Sequence, residues 1–145
     1  MQIIKQWRRV RPHSGPVLVS AQTNVAVDQL LSGLVGVGLN AVRVGQPVKV
    51  PPELRERTLE SQMQSHPDYE EMEQLKEEMY YISQNMGSFT GRDKGMAHAN
   101  LSKGFRRIKE LEEKISQEIV GAADVICATC IGKEVGVAMV TYCEA

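Results

Sequence analysis

The chain has 145 residues, 42% hydrophobic and 24% charged, with a net charge of −1. That length supports a domain burying about two-thirds of its unfolded surface, and this composition excludes a disordered tail. No apolar run approaches the ~18 residues of a spanning helix and no signal-peptide core opens the sequence, so an intracellular protein, cytoplasmic or nuclear, with no membrane partner is expected. The near-neutral charge excludes a strongly basic module only on average: Lys5, Arg8, Arg9 and Arg11 are basic with no acid among the first twenty residues, while Glu53 to Glu78 is acid-rich.

In chain order, MQIIKQWRRVR predicts a basic helix over Gln2 to Arg9. The apolar run Pro16 to Ser20 predicts a buried strand over Val17 to Ser20, and the following AQTNVAVDQLL predicts a polar loop and a helix over Val25 to Val35. Val27, Leu30, Leu31 and Leu34 supply that helix with an apolar face. Thr23 and Asn24 suit its N-cap and equally suit donation to a phosphate oxygen, because a helix start directs free N–H groups and a positive dipole end at whatever lies above the strand. Gly33-x-x-Gly36-x-Gly38 lies at the helix end and reads as a stop signal, not a dinucleotide fingerprint. A strand over Ala41 to Val44 follows, and a last strand is expected over Val125 to Cys127. Short apolar strands alternating with helices predict a parallel sheet covered on both faces.

Between the strands lies a helical insertion. Met72, Leu75, Met79, Ile82 and Met86 form one helical stripe, and Leu101, Phe105, Ile108, Leu111, Ile115 and Ile119 a second. Gly87 to Gly95 reads as the loop between them, giving an antiparallel hairpin. The basic cluster Lys103, Arg106, Arg107 and Lys109 either pairs with the acid-rich first helix or touches a nucleic-acid strand. The expected organisation is a core of residues 1–50 and 121–145 with a hairpin insertion over 51–120. Three cysteines do not make a disulfide framework, and Cys127-Ala128-Thr129-Cys130 is read as buried structural thiols; no metal site is expected.

GPVLVSAQTNVAVDQLL resembles the motif after the P-loop helix of Upf-like superfamily-one helicases, whose usual form is A-P-[ST]-N-x-A-V-D; Gln22 stands at the proline. DVICATCIG, Asp124 to Gly132, resembles the later core strand and Thr-containing loop of the same family, and Leu39 to Pro67 resembles its members related to the nonsense-mediated-decay and immunoglobulin-mu-binding helicases. The resemblance implies a partial RecA-like P-loop NTPase domain of α/β class carrying an inserted antiparallel helical hairpin. It implies an ATP-dependent motor moving 5′ to 3′ on single-stranded RNA or DNA, with Thr23, Asn24 and Thr129 on backbone phosphates and Arg106 and Arg107 beside the strand.

The family's G-x-x-x-x-G-K-[ST] run does not occur in the sequence. The family's Asp-Glu strand is matched only by Val137 to Ala145, where Cys143 replaces the Mg²⁺-binding Asp and Glu144 matches the catalytic Glu by type. The connection from Gly132 is shorter than the family's, so this tail is read as divergent, and Glu144 is the candidate catalytic residue. ATP and Mg²⁺ are implied for the full-length family but are not expected to bind this chain strongly, and no ATPase activity is expected of it alone. The alternative expectation is a non-catalytic interaction module that binds a protein partner through the hairpin.

Overall fold

The three apolar runs at Val17, Ala41 and Val125 become strands of one parallel sheet. The computed structural model describes residues 1–12, 14–45 and 50–130. Gly132 and the expected strand Val137 to Ala145, with Cys143 and Glu144, lie outside the described residues. Strands β1 (Val17–Ala21), β2 (Ala41–Arg43) and β3 (Val125–Thr129) stand in the order β1-β3-β2. The last strand in the chain is thus the middle one. It pairs Val17 with Val125 and Ala21 with Thr129 on one side, and Ala41 with Val125 and Arg43 with Cys127 on the other.

β3 is buried on both faces, as a central parallel strand requires. Its period-2 alternation divides the core. Val125 and Cys127 join Val27, Leu31 and Leu34 of helix α2 (Asn24–Gly36), together with Ala41, Val50 and Leu54. Ile126 and Ala128 face the other way, onto Val44 and Val120, with Leu59 of the short helix α3 (Leu59–Gln64) against them. Before α3 a 3-10 turn, Pro52–Arg57, carries Leu54 into the first cluster. α2 starts one residue earlier than Val25, because Thr23 rather than Asn24 is its cap.

Helix α1 (Gln2–Val10) buries none of its residues fully; only Ile4 packs partly against the core. A polar clamp at the N-terminal edge of the sheet holds it. Asp124 Oδ1 accepts from Arg8 Nε at 2.9 Å and Nη2 at 2.6 Å, and Arg8 Nη1 donates to Ser14 O at 2.6 Å. Asp124 Oδ2 accepts from Asn40 N at 3.0 Å, and Asn40 O takes the Asp124 amide at 2.8 Å. One carboxylate therefore ties α1 to the entrances of β2 and β3.

The chain divides into two compact units, Met1–Gln64 with the segment from Ser116 onward, and Ser65–Ile115. The second unit excludes Leu54 and Leu59, which contribute to the core clusters of the first. It contains helix α4 (Tyr69–Gln84) and most of α5 (Gly91–Ala122). Met72, Met79, Ile108, Leu111 and Ile115 are buried, as their spacing predicts. Two details differ from expectation. The interhelical loop is short, since α5 already begins at Gly91 instead of after Gly95. Phe105 is exposed, and its neighbour Gly104 takes the buried position: a Cβ there would overlap the Sδ of Met79, so the missing side chain makes room for the methionine. Lys114 Nζ to Asp68 Oδ2 at 2.6 Å and Arg107 Nη2 to Glu71 Oε1 at 2.9 Å link the two helices at their surface.

Candidate nucleic-acid interface

All three strands run the same way, so their C-terminal ends share one edge of the sheet, where ligands of open α/β sheets bind. The loop after β1 passes through Gln22 to Thr23, whose extended backbone (φ −124°, ψ 150°) breaks from strand direction into α2. Thr23 Oγ1 accepts from Ala26 N at 3.2 Å and Thr23 O accepts from Val27 N at 3.1 Å. Capping uses a lone pair of the hydroxyl and leaves its proton available for donation. The backbone N–H groups of Asn24 and Val25 precede the intrahelical ladder. Thr23 and Asn24 are exposed, and the register sets Thr129 beside Ala21, with Cys130 N donating to Ala21 O at 3.0 Å. The cap and first residue of α2, Thr23 and Asn24, and the last residue of β3, Thr129, thus lie at the same edge of the sheet, more than a hundred residues apart in sequence.

Beneath this edge sits a charged group that periodicity and motif matching do not single out. Arg43, the last residue of β2, has a side chain 2% exposed. Its Nε donates to Asp28 Oδ1 at 2.7 Å and its Nη2 to Asn24 Oδ1 at 3.0 Å. Asp28 lies one turn into α2, on the side turned toward the sheet. A buried arginine requires such partners. The legible signal is a lone Arg inside the apolar Leu39 to Val44 and an Asp among the inward-facing residues of the next helix back; what sequence does not supply is that the two face each other.

Cys127, paired in register with Arg43, is fully buried, and burial pushes its thiol up to about 11 against a smaller opposing pull from the guanidinium. Such a thiol is inert at neutral pH. Cys130 is exposed, contrary to the expectation that both thiols of the C-x-x-C are buried, because β3 ends at Thr129 and Cys130 belongs to the turn beyond it. No group of His, Cys, Asp or Glu able to hold a metal occurs among the described residues. Arg106 and Arg107 belong to the hairpin unit. Arg106 is exposed, and Arg107 donates through Nε and Nη2 to Glu71 Oε1, a contact that raises its pKa above the ordinary arginine value. Glu144 lies outside the described residues.

Residues 1–137 match the family model described as an AAA domain. The chain is 33% identical over 130 residues to the regulator of nonsense transcripts 1 homolog of Arabidopsis thaliana, which covers 87% of this chain and 9% of that protein. It is 28% identical over 131 residues to the homolog of the same name in Drosophila melanogaster, covering 87% of this chain and 10% of that protein. It is 26% identical over 165 residues to an uncharacterized ATP-dependent helicase of Methanocaldococcus jannaschii, covering 88% of this chain and 25% of that protein. The chain therefore spans a small part of the length of the curated relatives it matches.

Proposed function

This chain belongs to the AAA domain family, and from that premise we propose that it is the strand-gripping part of an intracellular ATP-dependent superfamily-one helicase that moves 5′ to 3′ along single-stranded RNA or DNA. The observation that carries the reading is that the helix start at Thr23 and Asn24 follows directly on Ala21, the register partner of Thr129 at the end of β3. Hydroxyl protons of Thr23 and Thr129, the amide of Asn24 and the unused first-turn N–H groups then converge on backbone phosphates, which need donors but no base-reading element. Within the hairpin unit, taken by itself, Arg106 and Arg107 are further candidate phosphate contacts, Arg107 by exchanging Glu71 for phosphate.

In this reading ATP and Mg²⁺ serve the full-length motor. The sequence holds no G-x-x-x-x-G-K-[ST] run, and the described residues form no metal-binding carboxylate group. In the proposed motor these parts are supplied by other segments, and the loops here hold and release phosphates as the motor cycles. No helix among the described residues is long and apolar enough to cross a membrane.

Anisotropy of a fluorescein-labelled single-stranded oligonucleotide, titrated with the chain at low and moderate salt, tests the proposal. Binding that weakens with salt is expected, because neutralised phosphates release counterions. Thr129→Val, which keeps strand propensity while deleting the hydroxyl, is expected to weaken it about three-fold or more. Absence of binding to both RNA and DNA overturns the proposal. A second reading has its own observation: Tyr80, Tyr81, Met96 and Phe105 are all more than half exposed on the hairpin, a surface suited to a protein partner. Capture that survives Thr129→Val but not Phe105→Ser favours it.

A further inference from the structure

We infer that Arg43 is a positioning residue of the proposed strand-binding edge, acting through Asn24, an inference that rests on the reading above. Three observations combine. Arg43 is buried at the end of β2, so its guanidinium cannot itself reach a solvated strand. Asp28 fixes one side of its fork at 2.7 Å, and the Nη2 of the same fork holds Asn24 Oδ1 at 3.0 Å. Asn24 is the exposed first residue of α2, directly after the capping Thr23.

An asparagine side chain at a helix start ordinarily samples several rotamers, and its amide has an acceptor end and a donor end. Arginine offers only donors. By engaging Oδ1, Arg43 fixes the amide orientation and turns Nδ2 away from itself, so the end left for a ligand is a donor, matched to a phosphate oxygen. Asp28 offsets the charge of the guanidinium and prevents its fork from rotating. Lysine cannot reproduce this arrangement, because one ammonium point charge lacks the planar fork that serves two acceptors at fixed angles.

The test uses the whole chain, with labelled single-stranded oligonucleotide as probe, and compares wild type, Asn24→Ala, Arg43→Lys and the double variant. Arg43→Lys and Asn24→Ala are each expected to weaken binding about three- to ten-fold, and the double variant no further than the weaker single one, as residues acting through one contact must. The slope of log affinity against log salt is expected to stay unchanged in Arg43→Lys, since Arg43 displaces no counterion itself. Asn24→Asp supplies a variant that keeps the contact to Arg43: it retains the acceptor, replaces the donor with a carboxylate, and is expected to weaken binding more than ten-fold with no loss of thermal stability.

If Arg43→Lys does not fold, NMR of the wild-type chain decides the matter. Addition of oligonucleotide is expected to shift the Asn24 Nδ2 and Arg43 Nε resonances together. Wild-type binding that Asn24→Ala weakens while Arg43→Lys leaves intact, or additive losses, or an Arg43 resonance unmoved while Asn24 shifts, overturns the inference but leaves the strand-binding function standing. A wild-type chain that binds neither RNA nor DNA overturns both.

Discussion

Asp124→Ala tests whether one carboxylate holds α1 in place. The substitution removes the acceptor of two Arg8 N–H groups and of the Asn40 amide. The Arg8–Asp124 side chains are only 20% and 28% exposed, so their pair stands at the upper end of the surface range and contributes about 1 kcal/mol. The Asn40 amide, partly buried, adds about 1–2 kcal/mol when its acceptor is lost. The expected destabilisation is thus about 2–3 kcal/mol, read by urea denaturation. A second effect is local. α1 has nine residues, below the ~12–15 that sustain an isolated helix in water, and without the clamp it keeps few tertiary contacts: Ile4 on the core, the Met1 side chain against Gly33, and the Arg8 contact to Ser14 O. Its amides are therefore expected to exchange at near-unfolded rates while those of α2 remain protected. Trp7, the single tryptophan, lies on α1 with the Arg11 guanidinium 4.8 Å from its ring centroid, so its fluorescence anisotropy is expected to fall in parallel. Arg8→Ala alone is expected to release α1 likewise, and the double variant to add little. Unchanged α1 protection and Trp7 anisotropy in Asp124→Ala would refute the reasoning.

Other predictions follow from the same geometry. Thr23→Ala is expected to cost about 1 kcal/mol of stability through loss of the Ala26 cap bond, with Thr23→Ser near wild type in denaturant melts. Gly104→Val sets a branched side chain where even a Cβ overlaps Met79, and overpacking is expected to cost about 1–3 kcal/mol; Met79→Ala in the same background recovers part of it. At neutral pH, mass-resolved alkylation of the folded chain is expected to label Cys130 and spare Cys127. The Cys127 thiol also gives a pH signature. Its folded value of about 11 stands above the ordinary 9.0, so its contribution is complete below pH 9 and is lost as pH rises toward 11, where the unfolded chain ionises first. Two units correspond to about 2–3 kcal/mol. Stability measured from pH 8 to 11 is expected to fall more steeply in wild type than in Cys127→Ala.

What the sequence made legible is the alternation of apolar strands and capped helices, because periodicity and cap chemistry are local. Val17, Ala41 and Val125 open strands close to where their apolar runs begin, and Thr23 caps α2 through its own hydroxyl. The pairing order was not legible: nothing in the run at Val125 says that it inserts between the other two. Gly87, Gly91 and Gly95 resemble turn punctuation and so predict a longer hairpin loop than the structure has, whereas the 32-residue α5 absorbs the last two at small cost per glycine. Hydrophobicity alone assigns Phe105 inward, yet the close approach of Met79 needs the smallest residue at the seam, so Gly104 takes that one position while Ile108, Leu111 and Ile115 keep theirs. In the candidate site, Thr23 and Asn24 are legible as a helix start after a strand, whereas Thr129, expected in a loop beyond Cys127, is the last residue of β3 because its pairing with Ala21 extends the ladder. Asp28 is legible as the motif's Asp, but its pairing with Arg43 is not, because an ion pair across fifteen residues is a tertiary fact.

The β1-β3-β2 order has a consequence for how the molecule is made. β1 and β2 do not pair with each other, and each finds its only strand partner among the described residues in β3. While the ribosome is still producing α5, the segments Val17–Ala21 and Ala41–Arg43 have not yet met β3, the strand partner they share among the described residues, and Asp124, the tether of α1, has not been synthesised. Local helices such as α4 form early, whereas the sheet waits for the arrival of one five-residue segment and then closes on both sides together. Nascent chains halted before Val125 therefore lack the strand that β1 and β2 share, and those are the species on which holding chaperones would act.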